Sequence, residues 1–179
     1  MAGDRDELRQ QIKERAIVRR AVVLSSGREA DYYVDLRQVT LAGAAAPLVG
    51  RVLLDLTEDW EYDAVGGLTL GADPVATAML HAAAARNRTL DAFVVRKEGK
   101  AHGLQRRIEG PDVAGRRVLA VEDTSTTGGS VLRAVAALRE AGAEVVGVAV
   151  VVERGAASAI TGAGLPFRAV YAPGDLGLT

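Results

Sequence analysis

The chain has 179 residues, of which 49% are hydrophobic and 25% charged, a composition typical of a globular protein with a buried core. Its net charge of -1 argues against bulk electrostatic binding to nucleic acid or to a membrane surface. It has no cysteine, which excludes disulfides and thiolate catalysis and is consistent with the cytoplasm. Residues 1–7 are acidic and polar and lack an apolar stretch, so we do not expect them to be a signal peptide. The longest apolar run, residues 145–152, is too short to span a bilayer. We therefore expect one cytoplasmic domain, residues 1–179.

The N-terminal part predicts a helix followed by two short strands. Apolar residues such as Leu8 and Ile12 recur among charged ones, which predicts a surface helix over residues 4–20 with one buried stripe. Residues 21–24 and 31–37 have strand character and flank a turn, so the pattern predicts a hairpin-like pair.

Tyr32 and Tyr33 are adjacent in a chain with only 4% aromatic residues. They could form a lid over a planar ligand, or one could face the core and the other the surface. Because side chains alternate along a strand, the spacing favours the second interpretation.

From residue 44 onward, helical and strand patterns alternate. The predicted helices cover residues 44–60, 74–86, 131–138 and 156–161, and the predicted strands cover residues 63–67, 91–95, 118–121, 144–152 and 167–172. The run 144–152 is nearly all apolar, as expected for a strand covered on both faces. This alternation predicts an α/β fold with a mostly parallel sheet flanked by helices.

A glycine-rich turn, residues 66–74, joins the first strand of this series to its helix. Asp73 and Pro74 are the predicted N-cap and first residue of that helix. Backbone amides of such a turn could meet a phosphate, although turns of this kind are common. We interpret His81, further along the helix, as a packed or surface residue.

The most informative stretch is residues 118–130, where a predicted strand runs into Glu122 and Asp123, a hydroxyl- and glycine-rich turn, and a helix. Free amides at the start of a helix favour a phosphate group. Paired carboxylates suit vicinal sugar hydroxyls or metal-bound water. No lysine follows the glycines and GxGxxG is absent, so the common nucleotide-binding loops are excluded. The alternative is an ordinary strand–turn–helix joint, which needs at most one capping hydroxyl.

Residues 96–110 form a long segment without periodicity that carries five lysines and arginines, His102 and three glycines. Loops of this length are usually functional or disordered. Concentrated positive charge between glycine hinges suits closure over a polyanion, and the alternative is a solvated basic loop. The candidate sites all follow predicted strand C-termini, where open α/β sheets bind ligands.

Residues 118–130 closely resemble the phosphoribosyl diphosphate (PRPP) motif of type I phosphoribosyltransferases, and the whole chain resembles the orotate phosphoribosyltransferases. The resemblance rests on four segments in order, residues 26–33, 96–103, 118–130 and 152–154. The pattern Arg-Lys-x-x-Lys-x-His-Gly in the second segment is specific to orotate enzymes. The resemblance implies a type I phosphoribosyltransferase fold whose residues 1–40 form a hood over the base site. It also implies transfer of ribose 5-phosphate from PRPP to orotate, giving orotidine 5′-monophosphate and pyrophosphate.

The resemblance further implies the role of each site residue. The pyrophosphate of PRPP would be contacted by Arg96, Lys97, Lys100 and His102, and the catalytic residues would be Lys100 and His102. The rest of PRPP would be held by Glu122, Asp123, Thr124, Ser125, Thr126, Thr127, Gly128, Gly129 and Ser130. Thr126 and Arg154 would contact orotate. The implied cofactor is Mg²⁺, with no ligand assigned from the protein, and the implied assembly is a homodimer that shares the basic loop 96–110 across subunits.

Two positions depart from the family pattern. Ser25 stands where the family often has lysine, and Leu70 and Gly71 stand where many members have Tyr-Lys. The PRPP motif by itself is also compatible with two other functions. A phosphoribosyltransferase for another base should lack the Lys-x-x-Lys-x-His loop, and a PRPP-sensing regulator without enzymatic activity should add a nucleic-acid-binding module or a basic face.

Overall fold

A computed structural model describes residues 2–19, 22–23, 29–30, 32–98 and 107–178. In chain order the described elements are α1 (Ala2–Arg15), β1 (Ile17–Val18), β2 (Val22–Val23), β3 (Glu29–Ala30), β4 (Tyr33–Val34), α2 (Arg37–Thr40), α3 (Ala46–Leu56), β5 (Ala64–Leu68), α4 (Ala72–Ala84), β6 (Asp91–Val95), β7 (Ile108–Glu109), β8 (Arg117–Ser125), α5 (Gly129–Glu140), β9 (Glu144–Glu153), α6 (Ala157–Gly162), β10 (Phe167–Tyr171) and a closing 3₁₀ helix (Pro173–Leu176). None of the helices within these ranges is long and apolar enough to cross a membrane.

The central sheet of the described chain has the strand order β10-β9-β8-β5-β6-β7. Its neighbouring strands are parallel, except that β7 runs antiparallel to β6. This arrangement confirms the predicted fold class, a mostly parallel sheet flanked by helices. The strand β7 was not predicted, because it lies inside the segment interpreted as a continuous loop.

Successive residues of β8 face two different hydrophobic cores. Leu119 and Val121 pack into the core that contains α3 and α4, whereas Val118 and Ala120 pack into the core that contains α5. Side chains alternate along a strand, so a strand covered on both faces needs apolar residues at consecutive positions. This explains the continuous apolar runs of β8 and β9 and places the sheet between two helical layers.

The segment between α1 and α2 contains two antiparallel strand pairs. In the outer pair Ile17 lies opposite Val34, and in the inner pair Val22 lies opposite Ala30. A hairpin-like pair is present, but the predicted partners are wrong: residues 22–23 pair with residues 29–30, whereas β4, inside the predicted strand 31–37, pairs with β1. The outer strand β1 was wrongly included in the first helix. That helix ends at Arg15, because the β-branched residues that follow pair with β4 instead. The predicted strand 31–37 is likewise too long, since its last residue begins α2.

The predicted start of α4 is wrong. The N-cap is Gly71, so Asp73 and Pro74 are the second and third residues of the helix. Asp73 does not cap the helix and accepts a hydrogen bond from the Thr69 hydroxyl at 2.7 Å. Pro74 is tolerated there because the first amides of a helix have no intrahelical acceptor.

The strand of the central motif is longer than predicted. The strand was expected to end at Glu122 and Asp123, with Thr124 and Ser125 in the turn, but β8 continues to Ser125 and pairs with β9 as far as Glu153. Beyond that pair, the amide of Arg154 donates to the carbonyl of Ser125 at 2.8 Å. The strand β8 therefore extends as far as β9 supplies backbone partners.

Helix α1 packs through the predicted apolar stripe into the core that contains α3 and α4, since Leu8 and Ile12 are fully buried there. Its Arg5 guanidinium donates to the carbonyl of Val170 at 2.7 Å, and the Tyr171 hydroxyl donates to the carbonyl of Arg5. These bonds attach the first helix to β10, the last strand of the sheet.

Candidate active site

The candidate site lies where the C-terminal ends of β5, β8 and β9 meet. A β-carbon built on Gly71, after β5, would lie 2.6 Å from Oδ1 of Asp123 in β8. A β-carbon built on Gly155, after β9, would lie 3.2 Å from the carbonyl oxygen of Thr126. The three loops are therefore in direct contact, as expected for the ligand-binding edge of a parallel sheet.

The loop after β8 leads into α5 through a glycine with left-handed backbone geometry. Gly128 has φ +79°, which a residue with a side chain rarely adopts. As N-cap it has no side chain to cap α5, and the amide of Gly129 reaches only the Thr127 hydroxyl, at 3.4 Å. The start of α5 thus has amides available to an anion.

The two acids of the motif lie in different surroundings, although they are neighbours in sequence. Glu122 is partly buried, and burial, followed by the negative charge of Asp123, raises its pKa from 4.5 to about 7, against an opposing effect of Arg133. Burial also raises the pKa of Asp123, against hydrogen bonding from the Thr124 amide at 2.7 Å and the charge of Arg37. Both carboxyl groups are desolvated, so each gains from a ligand that donates hydrogen bonds.

The remaining motif residues differ in exposure. Thr124 and Thr126 are partly buried, Thr127 and Gly129 are exposed, Gly128 is buried and Ser130 is partly buried in the first turn of α5. Ser125 is only 2% exposed. The hydroxyls best placed for a ligand at the surface therefore belong to the threonines of the loop.

Arg154 follows β9 and is partly buried. Its Nε is buried and has no hydrogen-bond partner within the described part of the chain. Its guanidinium carbon lies 5.0 Å from the ring centroid of Tyr32. A cationic side chain with a buried, unused donor is suited to an anionic group of a ligand.

The two tyrosines differ as the alternation predicted. Tyr33 is 38% exposed, whereas Tyr32 is partly buried and packs against the core. The contact between Tyr32 and Arg154 was not foreseen, because no local pattern connects residues this far apart in sequence.

The base of the basic loop is closed by backbone pairing. Val95 pairs with Ile108, and the amide of Arg96 donates to the carbonyl of Arg107 at 2.8 Å. The Arg96 guanidinium also contacts Glu109 at 3.3 Å, and Lys97 is exposed. Lys100 and His102 lie outside the described residues.

Arg37 is a site residue that the sequence did not reveal. Its Nε donates to Asp35 at 2.8 Å, and its charge lowers the pKa of Asp123 against the larger effect of burial. A lone arginine at a predicted strand end carries no distinguishing signal. His81, by contrast, is exposed on α4, in agreement with its interpretation as a surface residue.

Comparison with known proteins matches residues 38–159 to a family model described as the phosphoribosyl transferase domain. The matched region runs from α2 to α6 and includes the glycine-rich turn, the basic loop, both acids, α5 and Arg154. The chain belongs to the phosphoribosyltransferase family.

Comparison with individual proteins shows which members of this family the chain is most similar to among those compared. The orotate phosphoribosyltransferase of Streptomyces avermitilis is 71% identical over an alignment of 177 residues that covers 97% of this chain and 97% of its own. That of Corynebacterium glutamicum is 61% identical over 99% of this chain and 96% of its own. The structure of Mycobacterium tuberculosis orotate phosphoribosyltransferase in complex with PRPP aligns with a TM-score of 0.85 and 55% identity, covering 98% of this chain and 99% of that one. Within the family, the chain belongs to the orotate phosphoribosyltransferases.

Proposed function

We propose that this chain transfers the ribose 5-phosphate of PRPP to orotate and releases orotidine 5′-monophosphate and pyrophosphate, a step of pyrimidine biosynthesis. Full-length identity to orotate phosphoribosyltransferases supports the activity. At the level of residues, the proposal rests mainly on Arg154, whose buried Nε has no partner in the described chain. Orotate differs from uracil by a carboxylate, and a guanidinium binds a carboxylate through two parallel hydrogen bonds.

The PRPP moiety fits the loop between β8 and α5. We propose that the amides of Gly129 and Ser130 and the hydroxyls of Thr126 and Thr127 hold the 5-phosphate, since a helix start favours an anion. Asp123 and Glu122 accept hydrogen bonds from the ribose hydroxyls, which compensates the burial of both carboxyl groups. Of the remaining motif residues, Thr124 and Ser125 end β8 and Gly128 gives the loop its left-handed turn.

The basic loop acts on the leaving group. Breaking the bond between C1 of the ribose and pyrophosphate leaves positive charge on the sugar and negative charge on the diphosphate. We propose that Lys100 and His102, with Arg96 and Lys97, stabilise the developing diphosphate charge. Closure of the loop also excludes water that would capture the activated sugar.

The proposed cofactor is Mg²⁺. We propose an ion that enters with the diphosphate of PRPP, because Mg²⁺ at phosphate sites keeps several waters and takes one or two carboxylates. Bound there, it would neutralise charge on the leaving group.

We propose a cytoplasmic homodimer in which the basic loop 96–110 reaches the neighbouring site. An apolar groove of about 890 Å³ lies between α3 and α4, and Leu41 and Leu70 on its wall are 69% and 57% exposed. Exposed apolar surface of this kind is typical of a protein–protein contact. Residues 1–40 would complete the base site within the same domain.

The activity is tested by following the loss of orotate absorbance after addition of PRPP and Mg²⁺, in parallel with adenine, hypoxanthine and uracil. Of the four bases, we expect only orotate to be turned over. Turnover with another base instead would make the chain a different phosphoribosyltransferase. PRPP binding without turnover of any base would favour a PRPP-sensing regulator.

A further inference from the structure

The ring of Tyr32 faces the guanidinium of Arg154 in the candidate site. We propose that Tyr32 is a positioning residue for orotate: its ring holds the guanidinium of Arg154 in the orientation that receives the orotate carboxylate. The inference rests on the proposed function, because it assumes that Arg154 binds orotate.

The backbone of Arg154 is fixed independently of its side chain. Its amide donates to the carbonyl of Ser125 at 2.8 Å. The following residue, Gly155, has φ +119° and lies against the carbonyl of Thr126. The Glu153 carboxylate accepts hydrogen bonds from the amides of Gly155 and Ala157. The position of the α-carbon of Arg154 is therefore set by β8 and α6.

The side chain needs a separate constraint, because an arginine has several rotatable bonds between its α-carbon and its guanidinium. Tyr32 supplies one, with its ring centroid 5.0 Å from the guanidinium carbon. Tyr32 is itself held by packing against the core that contains α3 and α4. The ring thus offers a fixed face to a side chain that would otherwise sample several orientations.

The chemistry of this contact suits a binding site. A carboxylate partner would hold the guanidinium but would also neutralise its charge and occupy its donors. An aromatic face attracts the cation through its quadrupole and leaves the edge donors free. Within the described chain Arg154 Nε has no hydrogen-bond partner. The arrangement orients the cation and leaves it available to a substrate carboxylate.

The test is a double-mutant cycle that combines Tyr32→Leu with Arg154→Ala, with KM measured for orotate and for PRPP. We expect Tyr32→Leu to raise the orotate KM by about tenfold, as for loss of a partly desolvated cation–π contact, and to leave the PRPP KM unchanged. Tyr32→Phe keeps the aromatic face and should retain the wild-type orotate KM. In the Arg154→Ala background, Tyr32→Leu should have no further effect.

Trp60→Leu is the matched control. Trp60 also faces an arginine, with the Arg168 guanidinium 4.3 Å from its ring, but it lies against Gly147 near the amino end of β9. The Trp60→Leu variant should have an altered unfolding midpoint and an unchanged orotate KM. If Tyr32→Leu does not fold, Tyr32→Met, which keeps bulk but lacks the aromatic face, replaces it in the cycle.

Additive effects of Tyr32→Leu and Arg154→Ala on the orotate KM would overturn the inference, because Tyr32 would then act on orotate directly. A wild-type orotate KM in Tyr32→Leu would also overturn it. An Arg154→Ala variant with unchanged orotate KM would remove the proposed role of Arg154, and the inference with it. That outcome is separate from failure of the proposed function, which is recognised by the absence of turnover in the wild-type enzyme.

Discussion

Gly71 and Asp123 belong to different loops, yet a β-carbon at position 71 would stand 2.6 Å from Oδ1 of Asp123. That separation is well below van der Waals contact. The same oxygen accepts the amide of Thr124 at 2.7 Å, so it cannot move away without losing that bond. The glycine thus preserves the position of a carboxylate that we assign to ribose binding.

Gly71→Ala is therefore expected to displace the Asp123 carboxylate and to raise the PRPP KM by about tenfold, as for loss of one charge-assisted hydrogen bond. Initial-rate measurements with varied PRPP check this. Gly162→Ala is the control, since a β-carbon there meets nothing within 4 Å. An unchanged PRPP KM in Gly71→Ala would remove Asp123 from the ribose contact.

Gly128→Ala should lower the free energy of unfolding by about 1–2 kcal/mol, because the left-handed geometry of this residue strains any side chain. Urea unfolding measures the difference. The neighbouring Gly129→Ala is the matched control, because Gly129 is the first residue of α5 and is not among the glycines with positive φ. Equal losses in the two variants would mean that backbone strain is not the cause.

Glu122 makes the stability of the ligand-free protein depend on pH. Its pKa rises from 4.5 to about 7 on folding, first through burial and then through Asp123. The folded state therefore binds the proton more tightly than the unfolded state, and between these values stability falls as pH rises. Urea unfolding from pH 4.5 to 7.5 should show this decline, and Glu122→Gln should make it shallower. An identical pH profile in the variant would contradict the assignment.

Lys100→Ala is expected to lower turnover by about a hundredfold or more, as for removal of one donor that stabilises transition-state charge. Single-turnover and steady-state rates of orotate consumption measure it. Lys13→Ala changes an exposed lysine of α1 and should leave turnover unchanged. Wild-type turnover in the Lys100 variant would exclude the basic loop from the chemistry.

Arg154→Ala should raise the orotate KM more than the PRPP KM, since the guanidinium is assigned to the carboxylate of the base. Comparison of the two KM values checks this, with Arg168→Ala as a control arginine that also faces an aromatic ring. A larger change in the PRPP KM would refute the assignment.

Much of the sheet could be predicted from the sequence, because its strands are continuous apolar runs. The run 144–152 corresponds to β9, which extends one residue further, to Glu153. The position of the candidate site was also predictable, since the glycine-rich turn and the acids follow strands that end at the same edge.

The predicted ends of helices and strands were wrong where the end depends on pairing with a strand distant in sequence. Helix α1 ends early because Ile17 pairs with Val34, and β8 reaches Ser125 because β9 supplies partners that far. Local composition contains neither pairing. For the same reason the sequence did not reveal that Tyr32 faces Arg154, or that Arg37 lies close enough to affect the pKa of Asp123.

The bonds that Arg5 makes with Val170 and Tyr171 join the beginning of the chain to the last strand of the sheet. During synthesis, α1 leaves the ribosome first and β10 is translated last among the strands of the sheet. The bonds between them therefore form only when nearly the whole chain has been made.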